Sequence, residues 1–261
     1  MGAATRLDLT LRLVQGSGTS SVSELSERLG VSEMTVRRDL NTLERQGLVR
    51  RVHGGAVAVR SREEGGGFTA RRDWQVATKS RLGAEAALMV KPGSKVLLDA
   101  GTTTLHVAKN LVERAPLTIA VLSLHTASAL ADSPGIELLV VGGRSQPGEC
   151  SFVGPLTIRT LESLSFDCFI MSIGGIHAEQ GWSEFSLDDA AVKQTGSAQS
   201  TRTICVGDAT KLGVRAFSRV APLGAVESFV TDAAADDPLT HPKGPSTLQA
   251  MREAGVEVKL V

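Results

Sequence analysis

The chain has 261 residues, 42% hydrophobic and 21% charged, with 28 basic and 28 acidic side chains and a formal net charge of zero. That length holds one large or two ordinary domains with a sizeable core, and the composition is ordinary for a soluble globular protein. No apolar run approaches the roughly 20 residues a membrane helix needs, no basic start leads into an apolar signal core, and Cys150, Cys168 and Cys205 lack metal or disulfide spacing.

These features predict a cytoplasmic protein with small buried thiols and no membrane partner. Charge is nonetheless unevenly placed. Residues 1–60 carry nine arginines, no lysine and six acids, a net +3, so the remainder carries −3. Arg37, Arg38, Arg45, Arg50 and Arg51 cluster in one stretch. A basic arm on a neutral or acidic body suits a nucleic-acid binder, although a solvated helix face has the same composition.

Leu7, Leu11 and Val14 recur on one stripe of a first helix, residues 5–15, broken by Gly16-Ser17-Gly18. Ser23 is placed to cap a second helix carrying Leu25 and Leu29, which Gly30 ends. Ser32 caps a third, in which Val36, Leu40 and Leu43 recur at helical spacing before Gly47 ends it. Leu48–Val52 reads as a basic strand and His53-Gly54-Gly55 as a turn. The expectation is a winged helix-turn-helix domain over residues 4–59, with the helix-turn-helix proper at about 21–40. In that shape the helix after Ser32 enters a DNA major groove. Ser32, Met34 and Thr35 lie in the turn that faces base edges and phosphates. Arg37 and Arg38 reach phosphates or guanine, and Arg51, His53 and Gly54 bring the wing beside the backbone or minor groove. An all-α interaction bundle shares this periodicity. Two spaced caps, the Arg-Arg pair and a Gly-Gly turn after a basic strand favour double-stranded DNA.

Residues 60–78, with three consecutive glycines, read as a linker in which Phe68 and Trp74 dock on the next domain. Over residues 79–261 short apolar strands alternate with helices. The strands are expected at 96–98, 118–122, 136–141, 168–173, 203–206, 228–231 and 256–260. Such alternation predicts a mainly parallel sheet covered on both faces, an α/β domain. Ligands of such sheets sit beyond the carboxyl ends of the strands. That rule nominates Asp99 to Thr104, Ser123, Gly142-Gly143, Gly174-Gly175 and Asp208 to Lys211. Gly101, Thr102 and Thr103 also open a helix, whose free N–H groups and dipole favour an anion. The same residues also make a plain glycine–threonine helix start, and Lys211 is either the anion's counter-charge or a surface lysine. There is no G-x-x-x-x-G-K-[ST], strand-linked G-x-G-x-x-G, G-x-S-x-G or H-E-x-x-H, and the five histidines are scattered. No catalytic residue, cofactor or metal is expected.

The run Val31-Ser32-x-x-Thr35-Val36-Arg37-Arg38-Asp39-Leu40, followed by Leu43-Glu44-x-x-Gly47 and Arg51-x-His53-Gly54-Gly55-Ala56, resembles the DeoR family of transcriptional regulators. The resemblance continues through Arg72, Lys79, Asp99-x-Gly101-Thr102-Thr103, Gly142-Gly143 and Gly154. It closes with Asp167, Gly174-Gly175-Ile176, Gly181, Lys193, Asp208-x-x-Lys211 and Thr231-Asp232. It implies a winged-helix domain joined to an effector domain shaped like sugar-phosphate isomerases, with Lys79 and Lys193 added to the effector site. It also implies a repressor of carbohydrate operons, released from DNA by a phosphorylated sugar or related metabolite. The mechanism expected on that footing is a homo-oligomer, dimer or tetramer, whose winged helices bind repeated half-sites. The chain departs from the family at Leu122-Ser123-Leu124, where Thr-Asn-Ser is usual, and at Trp182, a bulk expected to narrow the pocket.

The alternative is a sugar-phosphate isomerase with an added DNA-binding-like domain. Aldose–ketose isomerisation needs a carboxylate to move a proton. Residues 172–178, where isomerases of this shape carry an Asp-rich segment, contain none. The expectation is therefore a regulator and not an enzyme.

Overall fold

The computed structural model describes residues 2–45, 48–58 and 67–261. The helix end expected at Gly47 and residues 60–66 of the expected linker fall outside these residues. The amino-terminal unit consists of α1 (Ala3–Ser17), β1 (Thr19–Ser21), α2 (Val22–Leu29), α3 (Glu33–Arg45), β2 (Val49–Val52) and β3 (Gly55–Ala58). Leu11, Val14, Leu25, Val36, Leu40 and Leu43 from its three helices meet in one core. Helices this short are marginal alone. Each leucine they bury together contributes about 1.5–3 kcal/mol. The sequence reading missed β1, which pairs with β3 and makes the wing three-stranded in the order β1-β3-β2. Gly55 permits that pairing, since a Cβ there would lie 2.2 Å from the Ser20 carbonyl oxygen.

Two helices follow, α4 (Gly67–Arg72) and α5 (Val76–Leu88), so the segment read as the end of a linker is helical. The carboxy-terminal unit then runs β4 (Lys95–Leu98), α6 (Thr102–Leu111), β5 (Leu117–Val121), α7 (Leu124–Leu130) and β6 (Ile136–Val140). Next come β7 (Arg144–Ser145), β8 (Phe152–Val153), α8 (Pro155–Glu162), β9 (Cys168–Met171), β10 (Gly175–His177) and β11 (Gly181–Glu184). It ends with α9 (Leu187–Ala198), β12 (Thr203–Val206), β13 (Ser218–Ala221), β14 (Ser228–Thr231), α10 (Gly244–Glu253) and β15 (Glu257–Leu260). Among the described residues the main sheet has seven strands in the order β15-β14-β12-β9-β4-β5-β6, all parallel. Side chains alternate across it. Val96 and Leu98 pack with α5 and α6 on one face, and Leu97 with Phe169 on the other. The chain builds outward from β4 through β5 to β6, then returns to the other side of β4 with β9. The strand order therefore reverses between β4 and β9, and that crevice is where such sheets bind ligands. Unlike the parallel strands, the hairpin β7-β8 and the antiparallel sheet β10-β11-β13 were not foreseen.

Candidate functional site

The DNA-reading surface is set by caps at each end of a tight turn. Ser21, and not the expected Ser23, caps α2: its hydroxyl accepts from the Glu24 amide while the Glu24 carboxylate accepts from the Ser21 amide. Gly30 ends α2 in the left-handed conformation, with φ at 63°. Ser32 accepts from the Thr35 amide at 3.3 Å, and the two hydroxyls lie 3.0 Å apart at the start of α3. Val36, Leu40 and Leu43 turn inward, which leaves Ser32, Met34, Arg37 and Arg38 exposed on the opposite face. Met34 is 59% exposed. Arg37 pairs with Glu33 at 2.8 Å across one turn of α3. Asp39, in contrast, is buried and gripped by Arg6 of α1 through two bonds of 2.6 and 3.0 Å.

In the wing, His53 and Gly54 form the exposed tip. Arg51 is engaged within the domain. Its guanidinium donates to Asn41 Oδ1 at 2.5 Å and to the Gly55 carbonyl at 3.2 Å, and its amide donates to Glu44. It fastens the wing to α3.

The point where the strand order reverses, between β4 and β9, gathers a second set of polar side chains. Asp99, one residue beyond β4, is buried. Its carboxylate accepts from the Ser172 amide and hydroxyl, both at 2.9 Å, across the point where the strand order reverses. Lys193 reaches the same carboxylate from α9 and lies 3.4 Å from Glu184. Glu184 was missed by the sequence reading. The antiparallel return from β10 to β11 brings it back to the segment that lacks an acid of its own. A Cβ on Gly174 would lie 2.8 Å from its Oε2. Asp99, Gly101, Gly174 and Lys193 are thus brought together, with Ser172 and Glu184 as unforeseen members.

Beside this network α6 opens at Thr102. The first helical bond runs from the Leu105 amide to Gly101, so the amides of Thr102, Thr103 and Thr104 precede any intrahelical acceptor. Lys79 of α5 is buried, donating to the carbonyls of Arg71 and Trp74. Burial pulls its ammonium down to about 8. Asp208 opposes that shift, while Lys211 and Arg71 add to it. Asp208 is pushed up by burial, but Lys211, the Thr210 hydroxyl and Lys79 outweigh that and hold it below the usual carboxylate range. Lys79, Asp208 and Lys211 therefore form one electrostatic cluster.

Other nominated residues have local structural partners. Ser123 is fully buried and caps α7 through the His125 amide. Gly142 accepts a bond from the Thr157 hydroxyl, and Gly143 lies against the same side chain. Gly175 packs against Val214. Trp182 does not narrow a pocket. It is fully buried in the core, donates to the Leu223 carbonyl at 3.0 Å and meets Phe229 edge-on. Phe68 docks as expected, but Trp74 packs on the winged-helix core instead of the next domain. The cysteines are free, and among the described residues there is no acid, histidine or cysteine cluster suited to a metal ion. Among the same residues no helix is long and apolar enough to cross a membrane.

The DeoR-like helix-turn-helix domain matches residues 6–62, and the DeoR C terminal sensor domain matches residues 74–233. The uncharacterised HTH-type transcriptional regulator YulB of Bacillus subtilis is 33% identical over all of this chain and 98% of its own. The glycerol-3-phosphate regulon repressor of Escherichia coli is 28% identical over 96% of each chain. Among solved structures, ribose 5-phosphate isomerase A of Methanocaldococcus jannaschii overlays 51% of this chain and 53% of its own at 14% identity, with a TM-score of 0.39.

Proposed function

The chain belongs to the DeoR family of DNA-binding transcriptional regulators, and on that premise we propose that it represses genes of carbohydrate metabolism until a phosphorylated sugar or related polyol phosphate fills the cleft. The observation that carries the effector class is a pair of polar groupings at the carboxyl edge of the sheet. Asp99, Ser172 and Glu184 around Lys193 are a set suited to hydroxyl groups. Lys79, Lys211 and the opening turn of α6 are a set suited to an anion. A polyol phosphate carries both kinds of group. Gly101, Thr102 and Thr103 would hold the phosphate, and Asp208 would orient Lys211. The relative whose name cites glycerol-3-phosphate supports the same class.

A second copy of the chain would set two α3 helices on repeated half-sites in the cytoplasm. The effector moves the DNA equilibrium only by binding one arrangement better than the other. Asp99 and Glu184 are both paired with Lys193, which supports a holding role for these carboxylates and a regulator rather than an enzyme. A thermal-shift screen against phosphorylated sugars and polyols tests this, followed by operator titration. The active compound stabilises the protein by about 2.7 kcal/mol at 100 times its dissociation constant, and the same compound releases the operator. Lys211→Ala lowers its affinity while leaving operator binding intact. Measurable isomerase turnover, or an effector without phosphate, would overturn the reading.

A further inference from the structure

We infer that Arg71, on the short helix between the two domains, is an effector-binding residue held in reserve by Glu149, and that a phosphate ester entering the cleft draws its guanidinium away from that carboxylate. The inference rests on the phosphate-ester reading of the cleft and adds a residue from outside the sensor sheet.

Three observations place α4 over the carboxyl edge of the sheet. Phe68 is 1% exposed and stacks on His125 in the first turn of α7, with ring centres 3.9 Å apart and planes 13° from parallel. Its amide donates to the Gly148 carbonyl at 2.8 Å. Gly67 lies so close that a Cβ would sit 2.6 Å from that same oxygen. From this position Arg71 pairs with Glu149 Oε2 at 2.5 Å. The carboxylate is almost fully buried, and its other oxygen has no hydrogen-bond partner among the described residues. A planar guanidinium binds carboxylate and phosphate through the same fork, so a phosphate is a direct competitor for it.

The charges around Arg71 favour that exchange. The Lys79 ammonium donates to the Arg71 carbonyl and feels both the Arg71 and Lys211 charges, against Asp208 and Asp73. The positive charges of Arg71 and Lys211 are thus both felt at Lys79, a potential that favours an anion there. The same segment touches the DNA-reading domain. Trp74 packs on its core, and the Gln75 side-chain amide donates to Asp8 at 3.2 Å. A shift of Arg71 therefore occurs on the segment that joins sensor to reader.

Calorimetric titration of the full chain with inorganic phosphate and with a panel of sugar and polyol phosphates tests this, with Arg71→Gln, Arg71→Lys and Glu149→Gln alongside wild type. The exchange predicts opposite signs. Arg71→Gln weakens phosphate-ester binding roughly tenfold or more, Arg71→Lys falls between it and wild type, and Glu149→Gln, which removes the competitor, tightens binding. A merely structural ion pair would weaken binding from either side. Unchanged affinity in Arg71→Gln, or weaker binding in both Arg71→Gln and Glu149→Gln, overturns the role of Arg71 and leaves the phosphate reading standing. If Arg71→Gln does not fold, Arg71→Lys and Glu149→Gln decide by the same signs. A folded wild type that binds no member of the panel overturns the phosphate reading and this inference together.

Discussion

The Arg12 guanidinium of α1 lies 3.7 Å from the Asp232 carboxylate just beyond β14, so the first helix of the DNA reader touches the carboxyl edge of the sensor sheet. Asp232 also accepts from the Ala209 amide at 2.8 Å, in the turn that ends at Lys211. Earlier in α1, Arg6 holds Asp39 of α3. One helix therefore contacts both Asp232 at the carboxyl edge of the sheet and Asp39 of α3. Burial pushes the Asp232 carboxyl up, as does Asp208, and Arg12 opposes them. Asp232→Asn keeps an acceptor for Ala209 and removes the charge Arg12 faces. It should leave operator affinity near wild type and reduce effector-induced release, by a coupling of about 0.5–2 kcal/mol. Operator titrations with and without effector give that ratio, and a ratio equal to wild type would remove Asp232 from the coupling.

Two arginines should answer differently to salt. Arg37 is exposed on α3. Arg37→Ala should weaken operator binding and flatten the salt dependence by about 0.9, the slope that one neutralised phosphate carries. Arg51 is engaged with Asn41 and Gly55. Arg51→Ala should weaken binding by loosening the wing, with the slope nearly kept. Anisotropy titrations across a salt series separate the two, and equal slope changes would return Arg51 to the phosphate backbone.

Lys193 bridges two buried carboxylates, Asp99 and Glu184. Lys193→Met keeps the length and removes the charge, leaving the two acids without the cation between them. Breaking a buried pair in this way costs about 3–5 kcal/mol. Denaturant unfolding should show that decrease, and a decrease below about 1 kcal/mol would mean the carboxylates find water instead.

The reader domain was legible because its signals are local. Gly30, Ser32 and the Val36–Leu40–Leu43 stripe each act within a turn or two of chain. The sheet was legible because apolar strands buried on both faces announce themselves. What escaped is long-range. Ser172 reaches Asp99 over 73 residues and Lys193 over 94. Glu184 arrives through a hairpin whose strands are too short and mixed for a period-two pattern. Strand β1 is three polar residues, Thr19, Ser20 and Ser21, and becomes a strand only because β3 offers it partners. Trp182 shows the reverse error: a large residue beside a loop glycine looked like a pocket wall, and its indole N–H instead found a carbonyl in the core.

Lys79 should make effector binding depend on pH. Its ordinary value of 10.5 falls to about 8 through burial, with Lys211 and Arg71 adding to the shift and Asp208 and Asp73 opposing it. Between those values the unfolded chain binds more protons than the folded one, so the cost of burying this group shrinks as pH rises from about 8 to 10.5. Effector binding has the opposite sign. A phosphate dianion favours the ammonium and raises its pKa, so the complex takes up a proton near pH 8 and affinity falls as pH climbs above it. Calorimetry slightly above that pH in two buffers of different ionisation heat should reveal a fraction of a proton taken up per effector bound. The uptake should vanish in Lys79→Met. Identical heats in the two buffers for wild type would mean that Lys79 does not meet the anion.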